Sequence, residues 1–166
     1  MPRIDTESTI TQSIVERLVD MEPHTPTDIY ATRLQGVRQL KASLRRDLEW
    51  LLNTRRIAVP LEDSEGELAN SLYYYGLPDF SSYSVSSPKD RARLLRSIES
   101  TIKYFEPRLT SIKVTPIEVT GINTRVLRFQ IEGLLRTDPT PEHVSYDTVL
   151  QLTSGEYQVR GERGAG

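Results

Sequence analysis

Two observations predict an α+β fold. Up to Phe105 the apolar residues recur at helical spacing, and from Leu109 onward they alternate at a period of two. Between the two regimes stands Glu106-Pro107-Arg108, where the proline pushes Glu106 out of helical dihedrals and ends the helix. Helices first and a run of strands afterwards predict N-terminal helices packed on a C-terminal antiparallel sheet of about four strands.

The 166 residues suit one domain with one core. A hydrophobic content of 37% and a charged content of 27% fit a globular chain. The net charge of −2, from 21 basic and 23 acidic residues, argues against non-specific nucleic-acid binding as the main role. The chain has no cysteine, which excludes disulfides and thiolate metal sites. No apolar run is long enough for a spanning helix, and the N-terminus has no basic start followed by an apolar stretch, so neither membrane insertion nor a secretory signal is expected.

In order along the chain, Ile10, Ile14 and Leu18 with Val15 predict a short amphipathic helix over residues 8–20. Pro23 and Pro26 mark a linker from Met21 to Asp28, so residues 1–28 are expected to form an arm. The main domain is expected over 29–161, followed by a disordered polar tail at 162–166. A second helix over 34–52 follows from Val37, Leu40, Leu44, Leu48 and Leu51, with Trp50 and Leu52 widening the apolar face. Arg45-Arg46 and Arg55-Arg56 are expected on solvated faces. Ile57, Val59 and Leu61 alternate around Pro60 and imply an extended segment. Glu67 to Tyr75 is expected to form a short helix ending at Gly76. Tyr73, Tyr74 and Tyr75 are consecutive, so at least one is expected to be exposed or at an interface. Pro78 to Ser87 reads as a loop anchored by Phe80 and Tyr83.

The third helix has both ends marked. Ser87 can cap it, Pro88 fits its first position and Asp90 complements its dipole. Leu95, Ile98, Ile102 and Phe105 form its apolar stripe. Ile112 and Val114 alternate around Lys113 with Pro116 following, which predicts a bulged or edge strand. Gly121 to Thr124 is turn chemistry. Leu127, Phe129, Ile131 and Leu135 share one face of the longest strand, opposite Arg128, Gln130 and Glu132. Val144, Tyr146, Thr148, Leu150 and Leu152 alternate in a third strand. After a turn at Thr153-Ser154-Gly155, Tyr157 and Val159 continue the pattern in a last strand.

Glu106 breaks a local rule, because an acid at a helix C-terminus opposes the dipole. In an extended Glu106-Pro107-Arg108 the acid and the base point to the same side, between Phe105 and Leu109. Two readings are open: a solvated pair at a corner, or an interface pair whose removal would leave folding nearly unchanged. Chemistry that would indicate an enzyme is sparse. His24 and His143 are the only histidines, both in proline-containing loops, and no metal or other cofactor is expected. No phosphate-cradling loop or Gly-x-Ser-x-Gly elbow occurs. Glu99 and Glu106, two helical turns apart, could in principle form the acid pair of a glycosidase.

Four motifs in order, Ser13 to Pro23, Leu48 to Arg55, Tyr75 to Asp79 and Glu106 to Leu109, resemble the TssE family of baseplate wedge subunits from bacterial type VI secretion systems. That family includes a tail-baseplate wedge protein of contractile phages, and its members are often labelled lysozyme-like. The resemblance covers about Ile10 to Val159. It implies a structural, non-enzymatic baseplate subunit on the cytoplasmic side of the inner membrane. It further implies that Glu106, Pro107 and Arg108, flanked by Phe105 and Leu109, dock into the helical core of the wedge. The C-terminal strands, here carrying Tyr157 and Val159, would seed the first sheath ring. The implied partners are the wedge proteins TssF and TssG and the sheath subunits TssB and TssC, with TssK as a further candidate. A peptidoglycan hydrolase and a wedge protein of a phage-tail-like particle are the alternative readings.

Overall fold

The computed structural model describes residues 33–58, 68, 71–80, 82–84, 87–117, 126–151 and 154–161. The expected first helix, its linker, Val59, Leu61, the turn at 121–124, Leu152 and the tail lie outside the described residues. Two helices, α1 (Arg33–Asn53) and α2 (Pro88–Phe105), precede four strands: β1 (Leu109–Ile117), β2 (Val126–Leu135), β3 (Glu142–Gln151) and β4 (Glu156–Arg160). The strands form an antiparallel meander in the order β1-β2-β3-β4. The expected α+β arrangement of helices followed by an antiparallel sheet is the one observed.

Alternation along the strands separates the two faces of the sheet. Leu127, Phe129, Ile131 and Leu135 of β2 are buried, as are Val144, Tyr146, Thr148 and Leu150 of β3 and Tyr157 and Val159 of β4. Register stacks these residues across the sheet, with Phe129 opposite Thr148 and Thr148 opposite Val159. Leu40, Leu44, Leu48, Leu51 and Leu52 from α1 and Leu94, Leu95, Ile98 and Ile102 from α2 complete one continuous core. Tyr146 Oη donates to the Lys41 carbonyl at 3.0 Å and so fixes the position of α1 over the sheet. Burial of this many aliphatic side chains, at about 25 cal/mol per Å² of apolar area, is the main source of stability.

Two expectations are corrected. Trp50 does not widen the apolar face of α1, and it is 60% exposed. Two positions past Leu48 is roughly 200° around a helix, so Trp50 points away from the leucine stripe. Instead the Arg46 guanidinium lies over its ring, 5.5 Å from the centroid. In the 67–75 stretch, Leu68 is helical, but Leu72–Tyr74 form a separate 3₁₀ turn capped by Ser71, so no single helix runs up to Gly76. Gly76 serves a different purpose. It adopts φ +105°, and a Cβ there would lie 2.3 Å from the Thr54 carbonyl oxygen. This close approach lets the Leu77 N–H donate to Thr54 O at 2.8 Å and the Arg56 N–H donate to Leu77 O at 2.9 Å, which stitches the exit of α1 to the loop.

The tyrosine triplet divides as expected. Tyr73 is exposed, Tyr74 is half-buried beside Arg56, and Tyr75 packs on the core edge-on to Phe105. Phe80 and Tyr83 pack edge to face in the following loop, and Phe80 rests on the core. The expected bulge in β1 lies between Thr110 and Lys113, with Ser111 at φ +52°.

Candidate interface at the corner between α2 and β1

The cap of α2 builds this corner. Ser87 Oγ accepts from the Asp90 N–H at 3.3 Å at the start of the helix, and the Glu106 N–H closes the last turn on Ile102 O at 2.8 Å. Glu106 then leaves helical geometry at φ −120°, ψ 80°, the restriction expected before a proline. The Leu109 N–H donates back to Glu106 O at 3.1 Å, and the Arg136 N–H donates to Arg108 O at 2.8 Å. These bonds set Arg108 rigidly between helix and sheet.

The acid and the base meet as the sequence implied, and a third group joins them. Arg108 Nε donates to Glu106 Oε1 at 2.6 Å and Nη2 to Oε2 at 2.5 Å, a two-point fork. The Arg108 backbone N–H adds a bond to Oε1 at 3.2 Å. Nη2 also reaches Asp47 Oδ2 of α1 at 2.6 Å. Asp47 in turn lies 3.5 Å from Arg46 Nε and accepts from Ser43 Oγ at 3.5 Å. The hydrogen bonds of Glu106 hold the Arg108 guanidinium well above its ordinary range, against an opposing effect of burial and with further help from Asp47. Nearby Tyr75 is also raised, by burial first and then by the charges of Asp47 and Glu106.

Burial decides what each predicted site residue can offer to a partner. Glu106 is 5% exposed and Leu109 4%, so both are committed to the chain's own interior. Phe105 is half-buried between the rings of Tyr75 and Tyr104. Pro107 is exposed, and the Arg108 side chain is 27% exposed. The surface reachable at this corner is therefore Pro107 and one side of Arg108, with Tyr104, 48% exposed, on the last turn of α2.

A model of the family described as baseplate wedge protein gp25 matches residues 38–140. The chain belongs to the baseplate wedge protein gp25 family. Among solved structures, the chain is similar to one described as the baseplate complex from the type VI secretion system, with a TM-score of 0.45 and 20% identity, covering 69% of this chain and 96% of that one. No curated protein matches the chain. The family match spans α1 from Arg38, the corner and the first two strands, so the corner lies inside the part that defines membership.

As a member of a baseplate wedge family, the chain is a structural baseplate component. The acid pair considered for glycoside hydrolysis is otherwise engaged. Glu99 Oε2 accepts from the Val114 N–H of β1 at 3.2 Å, and both oxygens of Glu106 are held by Arg108. No helix among the described residues is long and apolar enough to cross a membrane.

The other two predicted residues, Tyr157 and Val159, sit on the edge strand β4, 6% and 2% exposed, with Tyr157 edge-on to Phe129. Their side chains belong to the core. Only their backbone faces outward, and α1 reaches it. The Asn53 side-chain amide accepts from Tyr157 N–H at 2.9 Å and donates to Tyr157 O at 2.9 Å. Arg45 Nη1 donates to Val159 O at 3.2 Å. Asp47, Asn53 and Arg45 were missed as site residues, because a helical pattern assigns such positions to a solvated face. The one available signal was their place on the polar side of a helix that must cover a sheet.

Proposed function

We propose that this protein is a wedge subunit of a type VI secretion baseplate, on the cytoplasmic side of the inner membrane, and that it acts by binding rather than by catalysis. The corner between α2 and β1 docks into the helical core formed by the wedge proteins TssF and TssG. The edge strand β4 provides the first pairing site for sheath subunits of the TssB and TssC type, and TssK is a further neighbour. Membership of the baseplate wedge family is the observation that carries this reading. The rigid corner supports it, since Pro107 and the open side of Arg108 are fixed by backbone bonds and need no ordering on binding.

Co-purification tests the docking step. Tyr104→Ala, made together with Pro107→Ala, changes the exposed surface of the corner and leaves the Glu106–Arg108–Asp47 network in place, so it is expected to fold and to lose TssF and TssG. Retention of both partners at wild-type levels by this folded double variant would overturn docking through the corner. For the sheath step, Val159→Pro removes an outward N–H from β4 and is expected to reduce sheath initiation while wedge assembly continues.

A further inference from the structure

The two edges of the sheet are closed in different ways. On β1, the outward backbone positions alternate through Val114 and Pro116, which pair with Ile131 and Phe129 on their other side. The Val114 N–H is taken by Glu99 of α2, and Pro116 has no N–H to offer. The bulge at Ser111 interrupts the same edge. Proline and a bulge are permanent obstacles to strand addition. On β4 the outward positions are Tyr157 and Val159, and among the described residues their contacts beyond the sheet come from side chains: Asn53 on Tyr157 and Arg45 on the Val159 carbonyl.

Asn53 imitates the missing strand. A neighbouring antiparallel strand would give Tyr157 one acceptor and one donor, both from backbone amides. The Asn53 side chain is itself a primary amide, and it supplies one of each at 2.9 Å. Its second N–H donates to Glu49 O at 2.8 Å, so the amide is locked in orientation by the last turn of its own helix. Asn53 is nonetheless an exposed residue, so its amide can turn toward solvent and release the Tyr157 N–H and carbonyl.

We propose that Asn53, assisted by Arg45, is an autoinhibitory clamp that holds the place of a fifth strand on β4 and keeps the isolated protein from pairing edge to edge with a second copy. Among the described strands, the obstructed β1 edge leaves β4 as the edge at which such pairing can occur. The inference concerns the isolated chain and stands apart from the sheath reading. Under that reading, Asn53 is the bond that an incoming sheath strand replaces.

Sedimentation velocity over a concentration series tests the clamp on the full chain. Wild type is expected to stay monomeric. Asn53→Ala with Arg45→Ala is expected to show a concentration-dependent dimer, returned to monomer by adding Val159→Pro. At dilution, where all forms are monomeric, the Tyr157 amide of Asn53→Ala is expected to exchange its hydrogen at least tenfold faster than in wild type, with the Gln158 amide unchanged. Asn53→Lys offers the Tyr157 N–H no acceptor, so it should show the same faster exchange of that amide, and it decides the matter if Asn53→Ala folds poorly. A double variant that stays monomeric throughout, or a Tyr157 amide that exchanges at the wild-type rate, would overturn the clamp. Failed sheath initiation in Val159→Pro bears on the sheath reading alone.

Discussion

Arg108 Nη2 lies 2.6 Å from Asp47 Oδ2, and this contact ties the corner between α2 and β1 to the middle of α1, 61 positions earlier. The Glu106–Arg108 pair is therefore the centre of a three-residue network and helps to fix the relative positions of both helices and the sheet. A local acid–base pair at a helix stop has become part of the tertiary structure.

That network sets the first prediction. Arg108→Ala leaves the carboxylate of Glu106, whose side chain is 7% exposed, without its partner. Truncating one member of a buried pair costs about 3–5 kcal/mol, and the partial exposure of Arg108 lowers the expectation to about 2–3 kcal/mol. Asp47→Asn, at a 29% exposed side chain that keeps an acceptor, should cost less than about 1 kcal/mol. Urea unfolding of the purified variants measures both. The first value departs from the small folding effect that the sequence implied for removal of this pair, and the reason is the burial of Glu106.

Gly76→Ala should destabilise the fold by roughly 2–3 kcal/mol, from the strained backbone and the clash with Thr54 O together. Urea unfolding should show a lower midpoint at an unchanged slope. Loss of the stitch between the exit of α1 and Leu77 should also appear as faster exchange of the Leu77 and Arg56 amides.

Phe129 and Trp50 should behave in opposite ways. Phe129 is 0% exposed at the centre of the sheet, and Phe129→Ala is expected to cost about 3–5 kcal/mol through lost burial and the cavity left behind. Trp50→Ala should change stability by no more than about 0.5 kcal/mol, because the ring stands in solvent and its contact with Arg46 is an exposed one. Thermal or urea midpoints of the two variants check the contrast.

Alkaline pH should destabilise the protein through Tyr157. Burial raises this phenol above its ordinary value, with Arg55 opposing the shift. The folded state therefore keeps a proton that the unfolded chain releases above about pH 10. Its contribution is complete below that value and falls by about 1.4 kcal/mol per pH unit above it, until the folded group titrates. Tyr75 shifts in the same direction and adds less, since it is only half-buried. Urea midpoints measured from about pH 9 to 11 should decline in wild type and decline less in Tyr157→Phe.

Much of this architecture was legible in one dimension. The stop at Pro107, the cap at Ser87 and the change of period at Leu109 are local backbone chemistry, and each stands where the residues placed it. The alternation of Leu127, Phe129, Ile131 and Leu135 determined which side of β2 faces the core, because a strand leaves a side chain no other choice. Contacts between distant segments were decided by the tertiary structure alone. Asp47 and Asn53 read as ordinary polar positions of a helix, and they acquire roles only when α1 is laid against the corner and against β4. Tyr157 and Val159 lie on the last strand, where their alternation placed them, but only the packed sheet shows that their side chains turn inward and that side chains of α1 reach their backbone. Periodicity reports which face of an element is apolar; it carries no information about which polar side chain from elsewhere arrives to satisfy a buried charge or an open strand edge, because that depends on how the layers stack.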